Sequence, residues 1–168
     1  AIGETGLDYH YNDESNWEEQ KRRFLIHLEA ANQVKKPVIV HTRNAKQDTL
    51  DLLKQGNVLG CGGVLHCFTE DYEFAEKVLD MGMYISFSGI LTFKNAHSIQ
   101  DVAKKIPLDK ILIETDSPYL SPVPLRGKPN FPHHVIHVAE YLAKLRGVDI
   151  ELVTDQTARN AIELFDLG

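Results

Sequence analysis

Five short runs of apolar, largely β-branched residues recur along the chain, and a helical pattern follows each of them. The runs cover residues 1–4, 37–41, 63–66, 83–87 and 110–114. Strand-like runs that alternate with helical patterns are typical of βα units on a parallel sheet. Continuous apolar runs also suit strands that are covered on both faces. The alternation therefore predicts an α/β fold, either an open sheet or most of an eight-fold barrel.

Apolar periodicity predicts six helices around these strands. The longest is predicted over Trp17–Val34, where Phe24, Leu28 and Ala31 fall on one face. A second helix contains residues 48–54 and ends near Gly56. The others are predicted over residues 71–81, 96–105, 132–146 and 150–165, with Pro132 in the first turn of the fifth and Gly147 at its end.

The length of the chain limits the barrel that it can build. No linker or low-complexity segment divides the 168 residues, which predicts a single domain over 1–168. An eight-unit barrel typically takes about 250 residues, so this chain is roughly three units short. The chain begins with Ala1 inside a strand-like run. We therefore expect its amino-terminal part to be missing.

Composition narrows the classes of function. The net charge of −6 argues against a broad basic footprint on nucleic acid, but not against phosphate chemistry at a small, metal-charged cleft. The apolar stretches are too short to span a membrane, and no signal-peptide pattern opens the chain. A cytoplasmic protein with no membrane partner is expected. Cys61 and Cys67 lack a CxxC spacing and are expected to be inert thiols.

Metal-ligating residues stand at the ends of four of the predicted strands. They are Glu4, His41, His66 and Asp116, separated by gaps of 37, 25 and 50 residues. In a parallel α/β fold the carboxyl ends of all strands lie at one rim, where these side chains would converge. Two imidazoles and two carboxylates suit zinc, manganese or a similar divalent ion better than magnesium alone. Paired ions bridged by a carboxylate are a common device for phosphate ester hydrolysis.

Structural roles remain open for the same residues. A single histidine at a strand end is more often a hydrogen-bonded structural residue, and a carboxylate there can cap the next helix. Asp116-Ser117-Pro118 would also make an ordinary loop. Among the other candidates, His133 and His134 are expected on the solvated surface, and residues 60–63 are expected to form a turn.

Four segments resemble the TatD family of metal-dependent hydrolases, and within it the bacterial YcfH-type members. They are Ile2-Gly-Glu-Thr-Gly-Leu-Asp8, Pro37-Val-Ile-Val-His-Thr-Arg43, Gly63-Val-Leu-His-Cys-Phe68 and Glu114-Thr-Asp-Ser-Pro-Tyr-Leu120. Residues 84–89 and 126–130 add to the match. The resemblance implies a TIM-type (β/α)8 barrel of the amidohydrolase kind. It also implies cleavage of phosphodiester bonds in DNA, from the 3′ end of single strands, with divalent ions (Zn, Mn or Mg) as cofactors and two ions in a complete site.

The resemblance also implies a role for individual residues. Glu4 would be a catalytic carboxylate shared by two metals, His41 and His66 would be imidazole ligands, and Asp116 would be a ligand close to the attacking water. Arg43, Arg126 and Lys128 are candidates to contact substrate phosphate, with a structural ion pair or a solvated loop as the alternatives. Phe68 and Tyr119 are candidates to stack on bases; for Phe68, core packing is the alternative.

The chain departs from the family pattern at its start. Family members carry a His-x-His motif on their first strand, and no such motif occurs in these 168 residues. The resemblance therefore predicts that the chain corresponds to strands four to eight of the barrel. Two other hypotheses stay open: a hydrolase of the same fold that acts on amides, lactones or aminoacyl esters, and an inactive fragment that lacks the first-strand ligands. The oligomeric state is not predicted.

Overall fold

A computed structural model describes residues 1–10 and 14–168. These residues form two compact units: residues 1–66 with 77–84, and residues 67–76 with 85–168. Each unit contains parallel strands with helices between them, which confirms the α/β class predicted from the sequence. The single domain stays a prediction.

The first unit is built on three parallel strands, with the second in the middle. Its strands and helices are β1 (Ile2–Asp8), α1 (Trp17–Val34), β2 (Val38–Arg43), α2 (Lys46–Gln55), α3 (Val58–Cys61) and β3 (Gly63–Leu65). The predicted stripe of Phe24, Leu28 and Ala31 on α1 is fully buried, and this helix packs against β1. Val38 and Val40 of β2 are equally buried. The core of this unit therefore lies between the strands and α1.

Strand β1 contains an irregularity next to Glu4. Ile2 pairs with Val38 and Thr5 pairs with Val40, so two residues of β1 stand opposite the single residue Ile39. Such a bulge breaks the regular ladder and changes the direction of the strand locally. After the bulge the pairing is regular, and Gly6 stands opposite His41.

The second unit pairs β4 with β5 and carries the last three long helices. Its elements are β4 (Tyr84–Phe87), α5 (His97–Lys105), β5 (Ile111–Ile113), α6 (Val135–Arg146) and α7 (Ile150–Phe165). Helix α4 (Tyr72–Asp80) and β4 contain residues of both units. A 3₁₀ turn over Pro132–His134 precedes α6, and Gly147 ends this helix at a φ of 66°. A φ in this range is one that glycine adopts without steric penalty.

Three sequence-based expectations differ from the structure. Strand β1 continues to Asp8 instead of ending at Glu4, because pairing with β2 holds Thr5 and Gly6 in the ladder. Gly60 and Cys61 belong to the short helix α3, so the turn predicted there is wrong. His134 is 9% exposed and not solvated, because it packs against Asn130. Among the residues that the structure describes, no helix is long and apolar enough to cross a membrane.

Candidate metal centre

Three of the four predicted metal ligands come together in the first unit. One carboxylate oxygen of Glu4 lies 3.0 Å from Nε2 of His66 and 3.3 Å from Nδ1 of His41. One ligand atom from each of the three residues lies within 4.8 Å of the others. Neighbouring ligands of a small divalent ion, each about 2.1 Å from it, are spaced about 3–3.5 Å apart. The distances therefore fit a shared cation.

The strands bring these three side chains together. Val40 pairs with Leu65, so His41, two residues before the end of β2, and His66, directly after β3, lie at the same level. Glu4 reaches both imidazoles from the bulge of β1, and its side chain is 55% exposed against 12% for His66. Glu4 is therefore not a strand-end residue, as the sequence suggested, but a bulge residue in the middle of its strand.

The two ring nitrogens of His41 face two different carboxylates, those of Asp8 and Glu4. Nε2 lies 3.2 Å from Oδ2 of Asp8, which accepts a hydrogen bond from it. A neutral ring that donates from Nε2 to Asp8 has its lone pair on Nδ1, the nitrogen that faces the Glu4 oxygen. Two acceptors cannot bond to each other. A cation, or a proton, between Nδ1 and Glu4 satisfies both groups, and this supports the fit to a metal ion.

Asp8 is itself held by Gln20 of α1. The Gln20 amide accepts from the backbone N–H of Asp8 at 2.7 Å and donates to its carbonyl at 3.0 Å. The second carboxylate oxygen of Asp8 accepts from the backbone N–H of His10 at 2.9 Å. The orientation of His41 thus depends on a chain of contacts that begins on the long helix.

An open cleft of about 470 Å³ lies beside this cluster. It is lined by Glu4, Thr5, Gly6, Asp8, Gln20 and His41. Gly6 has a φ of 131°, and a Cβ at this position would lie 2.0 Å from the carbonyl oxygen of His41. Only glycine therefore allows β1 to approach the backbone of the candidate ligand this closely.

The end of β1 is anchored by Tyr9. Its ring stacks on Trp17 with centroids 4.1 Å apart, and its hydroxyl donates to Asp48 at 2.7 Å. Burial and the Asp48 carboxylate raise the pKa of Tyr9 to about 12. The ion pair with Lys21, at 2.9 Å, holds the pKa of Asp48 below its usual value. These contacts tie β1 to α1 and α2 just beyond the cleft.

Asp116, the fourth predicted ligand, lies in the second unit, three residues beyond the end of β5. Its backbone has a φ of 56°, and its carbonyl accepts from the N–H of Tyr119 at 2.9 Å. One carboxylate oxygen of Asp116 lies within 4.8 Å of one from Glu114. Glu114 continues the ladder by donating its N–H to the carbonyl of Phe87 at 3.0 Å.

The three predicted phosphate contacts are all exposed side chains. Arg43 ends β2, while Arg126 and Lys128 lie in the segment between Tyr119 and Asn130. The guanidinium of Arg126 lies 3.7 Å from the centroid of the Phe93 ring, in a cation–π contact.

The two candidates for base stacking differ in burial. Tyr119 is 71% exposed, whereas Phe68 is 2% exposed and packs against Phe74 and Phe87. The alternative of core packing therefore holds for Phe68, and Tyr119 keeps the stacking hypothesis.

The sequence of the chain is also similar to known protein families and known proteins. A family model described as TatD-related DNase matches residues 1–166 of the chain. The chain belongs to the TatD family. It is 54% identical over 167 residues to an uncharacterised metal-dependent hydrolase, YcfH, of Escherichia coli K12, and 44% identical over 168 residues to YabD, also named an uncharacterised metal-dependent hydrolase, of Bacillus subtilis. These matches cover 99% and 100% of this TatD-family chain.

The relatives are longer than this chain. The matches span 63% of the Escherichia coli protein and 66% of the Bacillus subtilis protein. The correspondence to strands four to eight of a barrel, with an amino-terminal part missing, stays a prediction.

Solved structures of the TatD family match the fold. The crystal structure of YjjV, a TatD homologue from Escherichia coli K12, has a TM-score of 0.92 at 30% identity, over 100% of this chain and 64% of that one. A TatD-family hydrolase from Entamoeba histolytica has a TM-score of 0.84 at 24% identity, over 98% of this chain and 62% of that one. At that identity the second match supports the fold alone.

Sequence reasoning missed three polar residues that the structure places around the candidate ligands. Asp8 bonds to His41, Gln20 bonds to the backbone of Asp8, and Glu114 neighbours Asp116. Asp8 and Glu114 had a weak signal, because each lies inside a family-like motif. Asp8 follows Glu4 by four residues, and Glu114 precedes Asp116 by two. Gln20 had none, since nothing in a helical repeat shows which polar residue will face a strand.

Proposed function

We propose that this protein is a metal-dependent hydrolase that cleaves phosphodiester bonds of DNA, from the 3′ end of single strands. The observation that carries the proposal is the single carboxylate oxygen of Glu4 beside two imidazole nitrogens in a TatD-family chain. The family description supports DNA as the substrate at the level of the family.

Glu4, His41 and His66 would hold the cation, and Asp116 is proposed to contribute a further ligand. The mixed nitrogen and oxygen set favours zinc or manganese, with magnesium as the harder alternative. Such an ion supplies polarisation of a phosphoryl oxygen and a water that ionises near neutral pH.

Two aspartates of the chain are proposed to support the cation, one by orienting a ligand and one by accepting a proton. Asp8 fixes the ring of His41, so that Nδ1 presents its lone pair towards Glu4. Asp116 is proposed to accept the proton of the attacking water.

Three cationic side chains and one exposed aromatic ring are proposed to bind the DNA strand. Arg43, Arg126 and Lys128 would contact backbone phosphates, for which the forked guanidinium is well suited. The exposed ring of Tyr119 offers a surface on which a base can stack.

Metal rescue tests this proposal. The protein is stripped with a chelator and given Mn²⁺, Mg²⁺ or Zn²⁺ in turn, with a 5′-labelled single-stranded oligonucleotide as substrate. We expect ion-dependent shortening from the 3′ end. Glu4→Gln should lower kcat/KM by about 100-fold or more, because it removes the shared carboxylate.

A second Glu–imidazole pair provides a matched control. Oε2 of Glu140 lies 3.0 Å from Nδ1 of His137 on α6, and Glu140→Gln should leave the rate unchanged. The absence of nucleotide release with all three ions would contradict the nuclease proposal. An equal loss in both variants would contradict the role of Glu4.

A second candidate is a hydrolase of amides, lactones or aminoacyl esters with the same ligand set. The net charge of −6 favours it, since enzymes that act on nucleic acids usually carry a basic stripe. A panel of small amides and esters beside the oligonucleotide separates the two candidates. Faster turnover of the small substrates would select the second.

A further inference from the structure

A buried asparagine, Asn130, holds the loop that carries Asp116. Its Nδ2 donates to the carbonyl of Thr115 at 2.8 Å and to the carbonyl of Tyr119 at 2.7 Å. Its backbone N–H donates to the carbonyl of Pro118 at 3.1 Å. One residue, 2% exposed, therefore binds the chain directly before Asp116 and again two and three residues after it.

The amide of Asn130 is fixed on its oxygen side as well. Oδ1 accepts from the backbone N–H of Phe131 at 3.0 Å and lies 3.0 Å from Nδ1 of His134. The two carbonyls on the other side require donors, so only one orientation of the amide satisfies all of these groups. The contact is therefore specific to asparagine and not merely to a small polar residue.

The loop has a conformation that needs such support. Asp116 and Leu120 both have a positive φ, at 56° and 54°. Residues with a Cβ rarely adopt this region, and they persist there only when surrounding contacts favour it. Two of the bonds of Asn130, to Pro118 and Tyr119, fall between these two positions, and the third goes to Thr115, directly before Asp116.

We infer that Asn130 is a positioning residue for Asp116. By binding the chain on both sides of this aspartate, it holds the carboxylate in the orientation required of a metal ligand. The inference rests on the role of Asp116 in the proposed function. It adds a residue that touches neither metal nor substrate and acts only through the loop.

The chain offers a matched control in Asn160 of α7. This residue is 1% exposed, and its Nδ2 also donates to two carbonyls, those of Leu108 at 2.9 Å and Ile111 at 2.7 Å. These carbonyls lie at and before the start of β5, whereas Asn130 binds beyond its end. The two asparagines therefore make the same kind of buried contact at opposite ends of one strand.

The experiment compares Asn130→Asp with Asn160→Asp in the intact protein. Each change removes both amide donors and leaves the shape of the side chain unaltered. We expect similar shifts of the denaturation midpoint. Only Asn130→Asp should weaken Mn²⁺ binding, measured by calorimetry without substrate, by about tenfold or more, as is typical when a support of a metal ligand is lost. It should also lower kcat with little change in KM.

Each other result has a defined consequence. If Asn130→Asp binds Mn²⁺ as tightly as the parent, or if Asn160→Asp weakens binding equally, the inference is wrong while the proposed function stands. If the parent binds none of Mn²⁺, Mg²⁺ and Zn²⁺, both are wrong. Should Asn130→Asp fail to fold, Asn130→Ser and Asn160→Ser give the same comparison without a buried charge.

Discussion

His134 shows how the surroundings of one residue make stability depend on pH. Burial lowers the pKa of this histidine below its usual value of 6.5, and the neighbouring His133 and His137 lower it further. A base with a lowered pKa in the folded state binds its proton more readily after unfolding. Stability is therefore full above pH 6.5 and falls as the pH drops towards the folded-state pKa.

Replacing His134 should reduce this dependence. As the pH is lowered from 7.5 to 5, the unfolding free energy of the parent should fall more steeply than that of His134→Gln. The difference in slope should correspond to the uptake of at most about one proton on unfolding. Urea titrations of both proteins at several pH values measure the difference. Parallel curves would show that this imidazole does not contribute.

At the residue scale, the place of a residue after a predicted strand was a better guide to its role than the residues next to it in the sequence. His41 and His66 could be predicted because each follows an apolar run, and neighbouring parallel strands end at one edge. The burial of His134 could not, because a histidine after Pro132 is typical of an exposed helix start. Its burial depends on Asn130, whose own side chain is oriented by carbonyls 11 and 15 residues away.

At the element scale, β1 depends on glycine at position 6. This residue has a φ of 131°, and the carbonyl of His41 lies so close to it that there is no room for a side chain. Gly6→Ala should therefore lower the unfolding free energy by about 3 kcal/mol or more. It should also weaken Mn²⁺ binding, since either the backbone of His41 or β1 must move.

Gly127 is the control for this substitution. It also has a positive φ, of 80°, but no atom lies within 4 Å of the position that a Cβ would take. Gly127→Ala should lower the unfolding free energy by only about 1 kcal/mol and leave metal binding unchanged. Denaturant unfolding with calorimetric titration checks both variants. Equal losses of stability would contradict the role of the contact with His41.

The helices could be predicted closely from the sequence, and β1 could not. Helix α1 begins and ends where its apolar repeat does, and Gly56 and Gly147 follow the ends of α2 and α6. These signals are local to each helix. The extent of β1 depends instead on pairing with β2 across Thr5 and Gly6, which have little strand preference of their own.

At the scale of the whole molecule, metal binding should raise the unfolding free energy and the Tm of the protein. A ligand that binds only the folded state adds about 2.7 kcal/mol at 100 times its Kd. For a chain of this size that corresponds to a rise of about 5–10 °C in Tm. Scanning calorimetry with chelator and then with Mn²⁺ measures the shift. The same Tm in both would contradict a folded-state site.

Two variants assign this shift to the candidate centre. Glu4→Gln should lose the increase in Tm, because the carboxylate oxygen between the two imidazoles is gone. Glu140→Gln should keep it, because its pair with His137 lies on the separate helix α6. A shift that survives in Glu4→Gln would place the stabilising ion elsewhere.

The hydrogen bonds that Asn130 makes to the loop of Asp116 affect how a protein of this kind can evolve. Asp116 is secured by contacts that end at residue 119 on one side and begin again at residue 130 on the other. Residues 124–129, which include Arg126 and Lys128, lie outside those contacts and are largely exposed. Selection, or a designer grafting new sequence, can therefore alter what this stretch recognises while the carboxylate behind it keeps its place.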